Sequence, residues 1–239
     1  MGALGDAVAA RDRRDRSEND DELLVGAARA HLFERLSAGF VHEARNPLNA
    51  MAIHLEVLAD KLRDAETGEL PPQLARNLDA ARNQVRRLDD LLRRWGEFSC
   101  ERSDVEDLAA CVRRAAGLCE YHVRRAGLEL SVEVERGLAV ERAGLVCQAL
   151  TELLLLSARR AAPGSTIRLA AAGHEDDLSV SFRGEGAEDV ATKEGEDPAV
   201  EAVRAIARRL GGELTHASGP TWGWSLRLPR AAAPHSIVA

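Results

Sequence analysis

No run of about 18 consecutive apolar residues occurs in this chain of 239 residues, so no transmembrane helix is expected. The first residues carry charges where a secretory signal would carry an apolar core, which argues against export and for a cytoplasmic protein. Cys100, Cys111, Cys119 and Cys147 form no CxxC pair and no His/Cys cluster with ligand spacing, so no metal centre is expected on this chain. Cys111 and Cys119 read as small buried hydrophobes. A net charge of -7 lacks the basic footprint of a nucleic-acid binder. The pairs Arg86-Arg87 and Arg93-Arg94 are therefore expected on solvated helix faces.

A hydrophobic fraction of 45% allows true cores, and the length leaves room for two modest domains. Residues 1–21 alternate charge through Arg11-Asp12-Arg13-Arg14-Asp15-Arg16 without an apolar period. They read as a disordered or weakly helical leader whose acidic end, Ser17 to Asp21, caps the first helix.

An amphipathic helical pattern then runs from about 22 to 65. Val41, Ala44, Leu48, Met51, Leu55, Leu58 and Leu62 alternate steps of three and four, which is a heptad seam. After turn residues at 66–72, a second seam follows in Leu74, Leu78, Ala81, Val85, Leu88, Leu92 and Trp95. Together they predict a helical hairpin over 22–98. Two helices cannot enclose stripes this wide, so a four-helix bundle made by a homodimer is expected.

Within the first helix lies His42-Glu43-Ala44-Arg45-Asn46-Pro47-Leu48. His42 follows a seam position by one residue, roughly 100° round the helix, so its ring should be open to solvent. Pro47 removes an amide donor and crowds the carbonyl four residues back, so a kink is expected one turn after His42. Neutral imidazole is a good nucleophile near neutral pH, and the phosphoramidate it forms can pass its phosphoryl group to an aspartate. An adjacent carboxylate such as Glu43 can hold the tautomer that leaves the attacking nitrogen free.

The segment from Phe40 to Ala50, followed by a heptad hairpin, resembles the dimerisation and phosphoacceptor region of two-component sensor histidine kinases. The resemblance implies that His42 is phosphorylated, that Glu43 assists as acid or base, and that Asn46 completes a Glu-x-x-Asn pattern able to orient water. Arg45 and Pro47 are the supporting members of the motif.

Beyond Cys100 the pattern changes to mixed helix and strand. Helices are expected at 105–126, 141–161 and 198–210, with strands at 128–134, 166–171, 178–182, 213–216 and 222–228. Pro163-Gly164, Gly211-Gly212 and Gly219-Pro220 mark turns. The fold class is α+β: a helical hairpin followed by a sandwich with helices on one face of a mixed sheet, over 105–230, and a short tail at 231–239.

The element order resembles the ATP-binding domain of histidine kinases, with echoes in Leu150 to Ala158 and in Leu210-Gly211-Gly212-Glu213-Leu214. The nucleotide residues implied by that resemblance are missing. Leu156 stands where an asparagine would ligate magnesium and offers no oxygen. Phe182 stands where an aspartate would accept from the adenine amino group. Gly184 and Gly186 persist and read as turn glycines. The stretch 187–197 is too short for the phosphate loop and lid, and its Glu188, Asp189, Glu194, Glu196 and Asp197 would repel triphosphate.

The leading expectation is a phosphorelay protein that carries a phosphoryl group on His42 and exchanges it with aspartates of response-regulator receiver domains. The receiver brings the Mg2+, and this chain binds no cofactor and no ATP. Three alternatives stay open: an ATP-dependent kinase with an atypical site, a response-regulator phosphatase using Glu43 and Asn46, and a non-catalytic scaffold that pairs with an intact partner kinase.

Overall fold

The fold is that of a computed structural model, which describes residues 2–63, 72–99, 105–186, 197–217 and 221–231. Most of the turn at 66–72, the acidic stretch 187–196, the Gly219-Pro220 turn and the tail beyond 231 fall outside them. The chain forms two compact units, Met1–Glu34 with Glu101–Ala239, and Arg35–Cys100.

Helix α1 spans Gly2–Arg63 and α2 spans Pro72–Ser99. The backbone is thus helical from Gly2, where the sequence suggested a disordered or weakly helical leader to Asp21. The acidic residues up to Asp21 lie inside α1 and do not cap it. The expected hairpin boundary also moves, because α1 as far as Glu34 clusters with the second half of the chain.

That larger unit is built on a five-stranded mixed sheet. Its strands are β2 (Glu129–Val134), β4 (Thr166–Gly173), β5 (Asp177–Glu185), β6 (Glu213–Ala217) and β7 (Thr221–Pro229), in the order β2-β4-β5-β7-β6. Strand β2 runs parallel to β4, and the other pairs are antiparallel. A separate two-stranded ladder joins β1 (Val105–Asp107) to β3 (Ala139–Glu141), with Val105 opposite Glu141. The expected helix from 105 therefore begins three residues late, at Leu108.

Alternation along the strands decides which face is covered. Ile167, Leu169 and Ala171, Leu178, Val180 and Phe182, and Trp222, Trp224, Leu226 and Leu228 are buried, while their neighbours are serines, arginines and small residues. Helices α3 (Leu108–Arg125), α4 (Ala143–Arg160) and α5 (Pro198–Arg209) cover that apolar face. Pro198 opens α5, and Asp197 caps it by accepting from the Ala199 amide at 2.9 Å.

Helix α4 is buried throughout from Val146 to Ser157, which requires cover on both of its sides. Residues 19–34 of α1 add to that cover. Val25 and Leu32 are buried there, and the amide of the buried Gln148 donates to the Val25 carbonyl at 3.1 Å. Arg208 of α5 grips Asp21 with two hydrogen bonds of 3.1 and 2.5 Å. The unit is a sheet, a helix layer and a third helical element over α4 and α5.

Candidate functional site

The smaller unit carries the histidine motif. The residues withdrawn from solvent include Phe40, Ala44, Pro47, Met51 and Leu58 along α1 and Ala81, Gln84, Leu88, Leu91 and Trp95 along α2. Both sets step by three and four or by their sum, so each is one helix face. Phe40 and Trp95 stack with ring centroids 4.7 Å apart and planes inclined by 26°. His42 lies two residues beyond Phe40, roughly 200° round the helix, and is exposed as its place in the period requires.

The expected single seam divides. Ala44, Met51, Leu58, Leu78, Ala81, Leu88 and Trp95 are half-buried, but Val41, Leu48, Leu55, Val85 and Leu92 remain 48–55% exposed. Glu43 is half-buried, whereas Arg45 and Asn46 are exposed. Asn46 sits one turn beyond His42 on nearly the same line. Pro47 is buried inside α1, and the helix runs on through it. The proline still leaves the Glu43 carbonyl without its amide donor from four residues ahead.

The positions expected to hold nucleotide lie in the other unit. Leu156 and Phe182 are buried, Leu156 within α4 and Phe182 opposite Trp224 in the β5–β7 ladder. Gly184 and Gly186 are not turn glycines: Gly184 is paired with Trp222 inside the ladder, Gly186 bridges Ala161, and neither has a positive φ. Their bareness makes room for an indole. A β-carbon would lie 2.6 Å from Trp222 at Gly184 and 2.7 Å from it at Gly186. The reading as turn glycines fails because the residue that needs the space is distant in sequence.

A polar cluster adjoins this packing. The Arg160 guanidinium lies 4.9 Å from the Trp224 ring and its Nη1 is 2.8 Å from His216 Nε2, while His216 and Trp224 approach to 4.1 Å between centroids. The indole nitrogens of Trp222 and Trp224 and the Ser157 hydroxyl are buried without a hydrogen-bond partner among the described residues.

Leu156 provides no oxygen for a hard cation, and Phe182 no acceptor for a base. Among the described residues no three His, Cys, Asp or Glu side chains gather as a metal site. Thiolate chemistry is also disfavoured: burial pushes the Cys111 thiol up to about 12 and raises Cys147 as well.

Residues 34–104 match the His Kinase A (phospho-acceptor) domain. The chain carries a histidine kinase phospho-acceptor domain. No curated protein matches the chain. Among solved structures, the histidine kinase AdeS of Acinetobacter baumannii is similar at 18% identity, with 80% of this chain and 98% of that one covered and a TM-score of 0.48. A histidine kinase from Burkholderia phymatum STM815 is similar at 18% identity over 92% of this chain and 99% of that one, with a TM-score of 0.48. A bacterial phosphotransferase is similar at 14% identity over 85% and 96%, with a TM-score of 0.45. The phospho-acceptor domain overlaps the smaller compact unit and holds His42 in its first helix. Among the described residues no helix is long and apolar enough to cross a membrane.

Proposed function

We propose that this protein is a histidine phosphotransferase that takes a phosphoryl group from a receiver aspartate onto His42 and returns it to another. The observation that carries the reading is Trp222, which occupies the space above Gly184 and Gly186 where the resemblance would put nucleotide. A phospho-acceptor histidine kept exposed, in a chain whose expected nucleotide position is filled with carbon, needs a donor other than bound ATP.

In the transfer, the free imidazole nitrogen of His42 attacks the phosphorus of the receiver's acyl phosphate. An N–P bond forms as the P–O bond to aspartate breaks, and the aspartate leaves as a carboxylate. The proton on the other ring nitrogen passes to Glu43 or solvent, and the reverse step charges the next receiver. The receiver supplies its own Mg2+, which neutralises the transferring oxygens. This chain supplies position: docking converts the reaction into an effectively unimolecular one.

The docking face is the line of α1 that begins at His42 and continues through Asn46 to Ile53 and Val57. Ile53 lies roughly 20° and Val57 roughly 60° off that line, and both are exposed aliphatics. Exposed side chains of this kind, below a reactive histidine, suit the apolar surface of a globular partner. The stripe of Val41, Leu48, Leu55, Val85 and Leu92 is separate from it and suits a second copy of the chain, giving a homodimer.

The purified protein with a radiolabelled phosphorylated receiver domain tests the reading, with Mg·ATP alone in parallel. Label should appear on wild type from the receiver only and vanish in His42→Ala; label taken from ATP alone would make the protein an atypical kinase instead. The exposed Asn46, one turn from His42, favours a second activity in which water is aimed at the receiver phosphate. Loss of receiver phosphate in His42→Ala that disappears in Asn46→Ala would reveal it.

A further inference from the structure

We infer that the Phe40–Trp95 stack is a positioning element for His42, fixing the rotation at which α1 presents the imidazole to its partner. Its kinetic consequence rests on the phosphotransfer reading, but its structural basis does not. The two rings lie 4.7 Å apart and nearly parallel, one from each helix of the hairpin, and Phe40 precedes His42 by two residues. The contact lies on the face of α1 opposite the imidazole, so it bears on the orientation of His42 without covering it.

The rest of the inner face near His42 is made of smaller side chains. Among the described residues between Leu36 and Met51, those withdrawn from solvent besides Phe40 are Ser37, Gly39, Glu43, Ala44, Pro47 and Ala50. Pro47 also unties the Glu43 carbonyl from the hydrogen-bond ladder, which loosens the turn carrying His42 on its C-terminal side. Phe40 restrains that turn from its N-terminal side. A stack resists rolling better than an aliphatic contact, since its two flat faces must stay in register.

The lever arm is long enough to matter. A roll of about 10° moves a nitrogen about 6 Å from the helix axis by about 1 Å. A misplacement of that size can cost about a hundredfold in rate. Trp95 is therefore a positioning residue: it touches neither the phosphoryl group nor the receiver.

Full-length Trp95→Leu keeps apolar volume but removes the stackable ring, Trp95→Phe retains a ring, and Leu88→Ala disturbs the same inner face one heptad away. Phosphoryl transfer from a labelled receiver domain is measured at varied receiver concentration, together with the nuclear magnetic resonance signal of the His42 ring. Trp95→Leu should lower the saturated rate by about tenfold or more, leave KM for the receiver unchanged, and shift or broaden the ring signal. Trp95→Phe should restore all three, and Leu88→Ala should behave as wild type. The proposal is overturned if Trp95→Leu keeps the wild-type rate and ring signal, if KM alone changes, or if Leu88→Ala loses as much. A wild type that takes no label from the receiver would sink the phosphotransfer reading instead, and the ring signal in Trp95→Leu then decides the positioning role alone.

Discussion

A β-carbon at Gly184 would meet the Trp222 ring at 2.6 Å, closer than any relaxed contact, and Trp222 is itself almost fully buried. Gly184→Ala should therefore destabilise the protein by about 1–3 kcal/mol, the usual range for overpacking. Urea denaturation checks this, and repeating it in a Trp222→Ala background should remove most of the penalty, because the clashing ring is gone. Additive losses would mean that the glycine serves something other than the indole. At this scale the sequence was legible where neighbours in the chain carry the information. The motif around His42 announced itself, and the helical period placed the ring in solvent. Gly184 and Gly186 were misread because their partner lies in another strand, and sequence spacing says nothing of a close approach made across a sheet. Phe40 and Trp95 went unpaired for the same reason: a ring in each of two helices shows no register until the hairpin is folded.

Strands β2, β4, β5 and β7 and helices α4 and α5 were readable because alternation and the 3.6-residue period persist over six or more positions, whereas β3, of three residues, was missed. Strand β1 was absorbed into the following helix, since three residues carry no period. The docking of 19–34 on α4 and α5 was also missed. That segment is rich in charge, and its attachment uses two buried aliphatics, one amide and one ion pair. A fainter clue was present in α4, whose run of leucines leaves no polar face and so calls for a covering element. The Asp21–Arg208 pair tests that cover. The Arg208 hydrogen bonds hold the Asp21 carboxyl below the usual carboxylate range, although its burial pushes the other way. A lowered folded value means that the pair stabilises fully above the unfolded value of about 3.9 and fades as pH falls through the folded one. Arg208 is half exposed, so water screens the pair and Asp21→Asn should cost only about 1 kcal/mol at pH 7. In urea titrations stepped into acid, the gap between wild type and variant should close below about pH 4. A gap that persisted there would assign the loss to packing and not to charge.

Over the whole molecule the heptad pattern specified more than one hairpin can use. The alternating steps in α1 and α2 were read as one seam per helix, yet burial divides each seam between residues half-covered within the hairpin and residues left outside. Val41, Leu48 and Leu55 repeat every seven residues along α1, and Val85 and Leu92 do the same along α2. Periodic exposure of this kind is what a four-helix bundle looks like when one pair of helices is viewed alone. Each of these side chains has about half its surface left to bury, worth about 1 kcal/mol apiece, so two copies would recover on the order of 10 kcal/mol against an association cost of comparable size. A dimer held this way should be sensitive to a single charge in the stripe. Leu48→Asp should convert the protein from dimer to monomer in sedimentation equilibrium at micromolar concentration while its circular dichroism stays helical. The same charge at Arg45, which is exposed but off the stripe, should leave the dimer intact. A Leu48→Asp protein that remained dimeric would place the second copy on some other surface and leave this stripe for a different partner.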